Sequence, residues 1–231
     1  MKKRELKLAL VNTLPVVAGY VVMGFGFGVL LIARGYPVFW ALLMSVFIYA
    51  GSMQFVTIDM LVGGASLATA ALMTLLINAR HLFYGISMLD KYRNTGRAKP
   101  YLIFALTDET YSVLCAQEPP EGYDRKRYYL YVSVLSQCYW VLGSALGAVA
   151  GRVLSINLKG IEYSMTALFV VVMVEQWLQS RNRLPAVVGL GCSLVSLLLF
   201  GPAKFIPPAM GLMLVLLALL RPQMEEGGLR A

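Results

Sequence analysis

LALVNTLPVVAGYVVMGFGFGVLLI, residues 8 to 32, is a run of 25 residues without one charged side chain. Crossing roughly 30 Å of hydrocarbon as an α-helix takes about 20 apolar residues at about 1.5 Å each, so this run predicts a membrane-spanning helix. The preceding MKKRELK imitates a secretory leader, but the apolar run is too long for one and no small-residue cleavage pattern follows. Working outward, seven more apolar segments can be drawn, over residues 38 to 60, 66 to 89, 101 to 117, 128 to 151, 163 to 179, 185 to 200 and 203 to 220. The whole chain of 231 residues is 58% hydrophobic and 14% charged, too apolar for a soluble domain of this length. Its solvent is the lipid bilayer, and the chain reads as a single transmembrane domain, residues 1–231, of the all-α class.

The net charge of +8 does not point to nucleic acid. The basic residues fall in short clusters between apolar runs and form no continuous basic face, so they act as topology signals. Eight crossings would place 11 Lys and Arg on the cytoplasmic side against 8 outside. Six crossings, with segments 38–60 and 101–117 entering and leaving on the same side, place 15 inside against 4 outside and leave Arg80 within the membrane. The positive-inside rule favours six full transmembrane helices plus two re-entrant or broken segments, with both termini cytoplasmic; eight spans are the alternative. The two re-entrant segments would come from opposite faces, as in secondary transporters whose interrupted helices meet at the midplane. Cys115, Cys138 and Cys192 lie far apart in apolar stretches and read as reduced, small hydrophobic side chains.

Polar groups are costly in lipid and should face protein or water, so four interruptions matter. Segment 38–60 is broken by Ala50-Gly51-Ser52 and carries Gln54; its bland reading is a polar helix-packing contact. Asn78-Ala79-Arg80-His81 precedes Tyr84 and Gly85, with Asn78 and His81 on one helix face and Arg80 and Tyr84 on another. Arg80 either snorkels to the interface or offers a cation to a carboxylate. Thr107-Asp108-Glu109-Thr110 puts two acids in the middle of a short apolar segment, where a carboxylate can carry a proton or hold an ammonium. Glu175-Gln176-Trp177 reads better as interfacial anchoring, and Trp40, Tyr128, Tyr129 and Tyr131 fit an aromatic belt. Gly24 and Gly28 have the GxxxG spacing that permits close helix approach, a spacing that chance also produces. Arg80 with Asp108 or Glu109 would supply the opposite charges that a free amino acid requires.

GFGFG in the first span, AGSMQF at 50–55, NARHLFYG at 78–85 and LTDETYS at 106–112 occur in this order, and in this the sequence resembles the AzlC family of branched-chain amino acid permeases. The resemblance covers residues 10 to 115 by motif and the remainder by hydropathy and length. It implies export of leucine, isoleucine and valine, with methionine as a further candidate. The implied machine is a proton-coupled permease in a bacterial cell membrane that acts with a small AzlD-type membrane subunit. Carried over as substrate-binding or coupling residues are Gln54, Asn78, Arg80, His81, Asp108 and Glu109. Met53 stands where the family pattern leads one to expect a small residue.

Rival readings are a transporter or channel for another small solute, and a non-transporting assembly subunit of a membrane complex. An enzyme is disfavoured: one histidine in the chain excludes HExxH and multi-histidine zinc sites, and no GxSxG elbow occurs. No metal or cofactor is expected.

Overall fold

The computed structural model describes residues 2–153, 170, 173–174, 177, 183–201, 205, 208–209, 211–213 and 215–220, the side chains of Lys2, Leu76, Arg80 and Phe83 excepted. Among these residues all regular structure is helical. The helices are α1 (Lys2–Ala33), α2 (Val38–Phe47), α3 (Gly51–Val62), α4 (Leu67–Asn78), α5 (Arg80–Met88), α6 (Lys99–Phe104), α7 (Asp108–Ala116), α8 (Arg125–Val153) and α9 (Leu184–Phe200), with a 3₁₀ turn at Gly96–Ala98 before α6. The chain divides into two compact units, residues 1–165 and 166–231. In the second, α9 buries Cys192 and Ser196, and Gly189 faces the Met213 thioether. Most of segment 163–179, with Glu175 and Gln176, and residues 203–204, 206–207, 210 and 214 of segment 203–220 lie outside the described residues; the Arg183 guanidinium sits 5.1 Å from the Trp177 ring centre.

Two long helices form the spine of the first unit. Residues 3–33 of α1 and all of α8 are long and apolar enough to cross a bilayer. They run parallel: Asn12 donates to the Tyr128 hydroxyl at 2.8 Å near both N-terminal ends, and Gly151 lies against Val29 and Ile32 near both C-terminal ends. Between these points the backbones touch. A Cβ on Gly24 would come within 2.8 Å of the Trp140 carbonyl oxygen, and one on Gly28 within 2.2 Å of that of Ser144. From the other side, a Cβ on Gly147 would meet the Phe25 carbonyl oxygen at 2.0 Å. The GxxxG pair of α1 is thus half of a seam whose other half is Gly143, Gly147 and Gly151 of α8.

Both interrupted segments are broken and fold back on themselves against this spine. Tyr36 N–H bonds the Leu31 carbonyl at the top of α1, and α2 then descends until the Val46 carbonyl accepts from Gln137 Nε2 at 3.0 Å, midway along α8. After Tyr49 and Ala50 the chain reverses. Helix α3 starts beside Trp140 and climbs, so that Phe55 meets Phe27 at 5.8 Å between ring centres, while a Gln54–Ser45 hydrogen bond of 3.3 Å ties the two arms. The second hairpin is built from the other end. Gly96 lies near Lys126 in the first turn of α8, Tyr101 of α6 reaches Gln137 at 2.7 Å, and the chain reverses at Ala105-Leu106-Thr107. Helix α7 then returns, and the Gln117 carbonyl accepts from the Tyr128 hydroxyl at 3.4 Å. Asp108 and Glu109, expected in the middle of an apolar span, therefore occupy the first turn of a half-helix.

Segment 66–89 forms α4 and α5, which meet at Ala79, a residue that keeps helical backbone angles (φ −53°, ψ −35°). It ends near Tyr92, whose ring meets Tyr129 at 5.9 Å. Tyr128 and Tyr129 are buried, which corrects their assignment to an interfacial belt: Tyr128 turns toward Asn12 of α1 and the end of α7, and Tyr129 packs on Tyr92. Trp40 is exposed, as a belt residue should be. Phe39, Phe47, Leu67, Leu75 and Val22 project outward, the apolar exterior that lipid requires. Cys115, Cys138 and Cys192 are free thiols, the last buried.

Candidate functional site

The two reversals meet. Tyr49, at the first, has φ 43°, a left-handed conformation costly for a bulky side chain and retained only where surroundings enforce it, at a cost of about 1–3 kcal/mol. Its ring lies 6.3 Å from Phe104, just before the second reversal. The Tyr49 hydroxyl is buried and faces Tyr20, Glu109 and Thr110.

Local sequence explains each tip. Thr107 has extended backbone and caps α7, its Oγ1 accepting the Thr110 N–H at 3.3 Å, the usual office of threonine before a helix. Asp108 and Glu109 follow in the first turn, where the helix dipole favours negative charge, so part of their cost in an apolar segment is offset. Ala50 is also extended but offers no side-chain cap, leaving the first N–H groups of α3 without that partner. Gly51 packs closely on Trp140: a Cβ there would lie 3.0 Å from the ring, which would have to give by a few tenths of an ångström.

Tyr20 on α1 and Trp140 on α8 link the tips. The Tyr20 hydroxyl donates to Glu109 Oε2 at 2.9 Å and also contacts Thr107 Oγ1. Its ring packs edge-on to Trp140 at 5.6 Å. The Trp140 indole N–H donates to Gln54 Oε1 at 2.9 Å, and Gln54 is fully buried. Two of the residues singled out from sequence, Gln54 and Glu109, are thereby joined across the centre of the unit. Asp108 stands beside Glu109 and is half-buried.

Asn78 and His81 belong to a neighbouring cluster on α4 and α5. His81 Nδ1 lies 3.1 Å from the Asn78 carbonyl oxygen, and its ring is edge-on to Tyr84 at 5.8 Å. Tyr84 stacks on Tyr111 at 4.5 Å, and the Tyr111 hydroxyl donates to Ser87 at 3.1 Å, so this cluster is fastened to α7. The backbone of Arg80 opens α5; its side chain lies outside the description. Sequence reading passed over Tyr20, Tyr49 and Trp140. The available signal was position: Tyr20 and Trp140 stand near the middle of their apolar runs, where a polar-ended ring finds no headgroups and must find a protein partner. Among the described residues no group of three His, Cys, Asp or Glu could hold a metal.

The fold and this buried polar centre define an integral membrane protein of the all-helical class. The chain matches the AzlC protein family over residues 15–154, and it belongs to that family. It is 42% identical over 93% of its length to the branched-chain amino acid transport protein AzlC of Bacillus subtilis, covering 84% of that protein. It is 41% identical over 96% of its length to an uncharacterized membrane protein of Helicobacter pylori, covering 97% of it. With the inner membrane protein YgaZ of Escherichia coli it shares 28% identity over 82% of its length and 80% of that protein. No solved structure matches the chain.

Proposed function

We propose that this protein is a secondary transporter that exports branched-chain amino acids, coupled to protons and working with a small AzlD-type membrane subunit. The carrying observation is the meeting of two hairpin tips, approaching from opposite ends of a parallel helix pair, at a buried centre that holds Gln54, Tyr20, Glu109 and Asp108. Broken helices whose tips meet midway are the architecture through which transporters expose one site to alternate faces. Family membership and the name of the Bacillus relative favour leucine, isoleucine and valine as the substrates. In this reading α1, α4–α5 and α8 cross the bilayer of a bacterial cell, α2–α3 enters from outside and α6–α7 from the cytoplasm, and both termini are cytoplasmic. Glu109 and Asp108 receive the substrate ammonium or the coupling proton, with Gln54, Asn78, Arg80 and His81 as the further substrate-binding or coupling residues.

The test is excretion of leucine and valine from cells loaded with the corresponding dipeptides, with and without a co-expressed small hydrophobic subunit. Faster efflux that requires both subunits and is lost in Glu109→Gln and Tyr20→Phe, at unchanged membrane levels, is expected. Unchanged efflux from an assembled wild-type complex refutes the substrate assignment.

A further inference from the structure

Cations gather where α1 and α8 begin. Asn12 meets Tyr128 near the first turns of both helices, and the Arg4 guanidinium lies 4.9 Å from the centre of the Tyr123 ring, just before α8. The turns between α5 and α6 close on the same end. The Tyr92 ring packs on Tyr129, and Lys126 Nζ stands 3.6 Å from where a Cβ on Gly96 would lie. Gly96 has φ 57°, a left-handed conformation that suits glycine, and the bare turn lets the Lys126 ammonium come up to the residue that precedes Arg97.

Some charges at this end are neutralised within the fold. Lys91 and Arg125 share Glu118, and Arg127 pairs with Asp124. Arg93, Arg97 and Lys126, with Lys3 and Lys7 of α1, are exposed and enter no ion pair among the described residues. Asp90 and Glu121 are exposed at the same end and pair with none of them. Arg97 and Lys126 thus share one turn without an acid between them, and such an arrangement repels itself until an anion joins it.

The surroundings select the anion. Ile86 and Leu89, just before these turns, are 66% and 57% exposed, and Leu6 and Leu10 are exposed beside Lys3 and Lys7. The cations therefore border an apolar surface that acyl chains can cover, which sets them at the depth of lipid headgroups. A soluble phosphate compound would leave that apolar border in water.

We propose that this end of the protein binds an anionic phospholipid, Arg97 and Lys126 holding the headgroup phosphate at the Gly96 turn, with Arg93, Lys3 and Lys7 adding to the positive field around it. Lys126 stands about 20 Å along α8 from Trp140, so the lipid site is separate from the buried centre and does not rest on the transport reading.

The probes are dioleoyl phosphatidylglycerol and dioleoyl phosphatidylcholine, which share a phosphate and acyl chains; the second carries an ammonium that the surrounding cations repel. Lipids bound to the detergent-purified full chain are counted by native mass spectrometry. Each cation at such a surface favours an anionic lipid by about fivefold. Wild type should therefore prefer phosphatidylglycerol at least about tenfold, and Arg97→Gln with Lys126→Gln should cut the preference to about threefold or less. Arg97→Lys with Lys126→Arg keeps both charges and should retain it. Arg152→Gln, an exposed cation at the opposite end of α8, should change it by less than about twofold. These side chains are exposed, so Tm without added lipid should stay within about 2 °C of wild type. Equal binding of the two lipids by wild type, a preference that survives the double Gln variant, or an equal loss in Arg152→Gln overturns the proposal. Displacement of phosphatidylglycerol by a tenfold excess of glycerol phosphate, roughly the amount at which a headgroup alone would compete if acyl chains added nothing, would make this a soluble-anion site and overturn it too.

Discussion

Gly147→Ala adds a single methyl group to the seam between α1 and α8. Its carbon would lie 2.0 Å from the Phe25 carbonyl oxygen, where ordinary contact begins at 3.4 Å, a shortfall of about 1.4 Å. The atoms it meets are backbone, so no rotamer change relieves the clash and the helices must part by on the order of 1 Å. Overpacking of this kind costs about 1–3 kcal/mol, and a collision with backbone belongs at the upper end. For a chain of this size, about 3 kcal/mol corresponds to a fall of roughly 6–12 °C in Tm. Gly26→Ala is the control, because a Cβ there meets nothing within 4 Å and alanine is the better helix former. Thermal denaturation of the detergent-purified full chain, followed by size-exclusion fluorescence, compares the two. Transport should fall with Gly147→Ala as well, since parting the helices separates Tyr20 from Trp140. Equal Tm values for Gly147→Ala and Gly26→Ala, within about 2 °C, would refute the close-packed seam.

Gln54→Leu should lower stability by about 1–3 kcal/mol by leaving the buried Trp140 indole N–H unpaired; a denaturation midpoint unchanged from wild type counts against the bond. Gln137→Leu and Tyr101→Phe break one network that joins both hairpins to α8, so their effects on Tm should be non-additive by about 0.5–3 kcal/mol, and additive losses would mean that the hairpins are not coupled there. Lys91→Met removes the ammonium that bonds the Leu114 carbonyl at 2.7 Å and pairs with Glu118 at 3.1 Å. With Glu118 half exposed the pair itself is weak, so the expected loss is about 1 kcal/mol, chiefly from the uncapped end of α7, and hydrogen exchange in residues 113–117 should rise.

How much was legible before the fold was known differs between elements. The breaks at Ala50-Gly51 and Thr107-Asp108 were readable because lipid penalises polar groups and glycine within an apolar run. Half of the glycine seam, Gly24 and Gly28, was visible as a spacing; its partner in GSALGAVAG has the same spacing in α8 but drew no notice, because spacing does not name the facing helix. Gln54 and Glu109 were readable as polar residues out of place. Their connection was not, because it runs through Tyr20 and Trp140, two aromatic residues that resemble ordinary apolar filling when read along the chain.

By itself the sequence determined that this is an all-helical membrane protein, that the runs at residues 8–32 and 128–151 are long enough to cross, and that the chain is interrupted at Ala50-Gly51 and Thr107-Asp108. These follow from local quantities: run length against bilayer thickness, and the cost of a polar group in hydrocarbon. The tertiary structure alone decided that α1 and α8 run side by side in the same direction, that the two broken segments turn back from opposite ends, and that their tips meet at Tyr49, Tyr20 and Trp140. Those outcomes depend on contacts between residues far apart in the chain, such as Tyr20 with Glu109, Trp140 with Gln54 and Tyr49 with Phe104. Their partners are chosen by packing shape and hydrogen-bond direction in three dimensions, which a one-dimensional pattern of polarity does not carry.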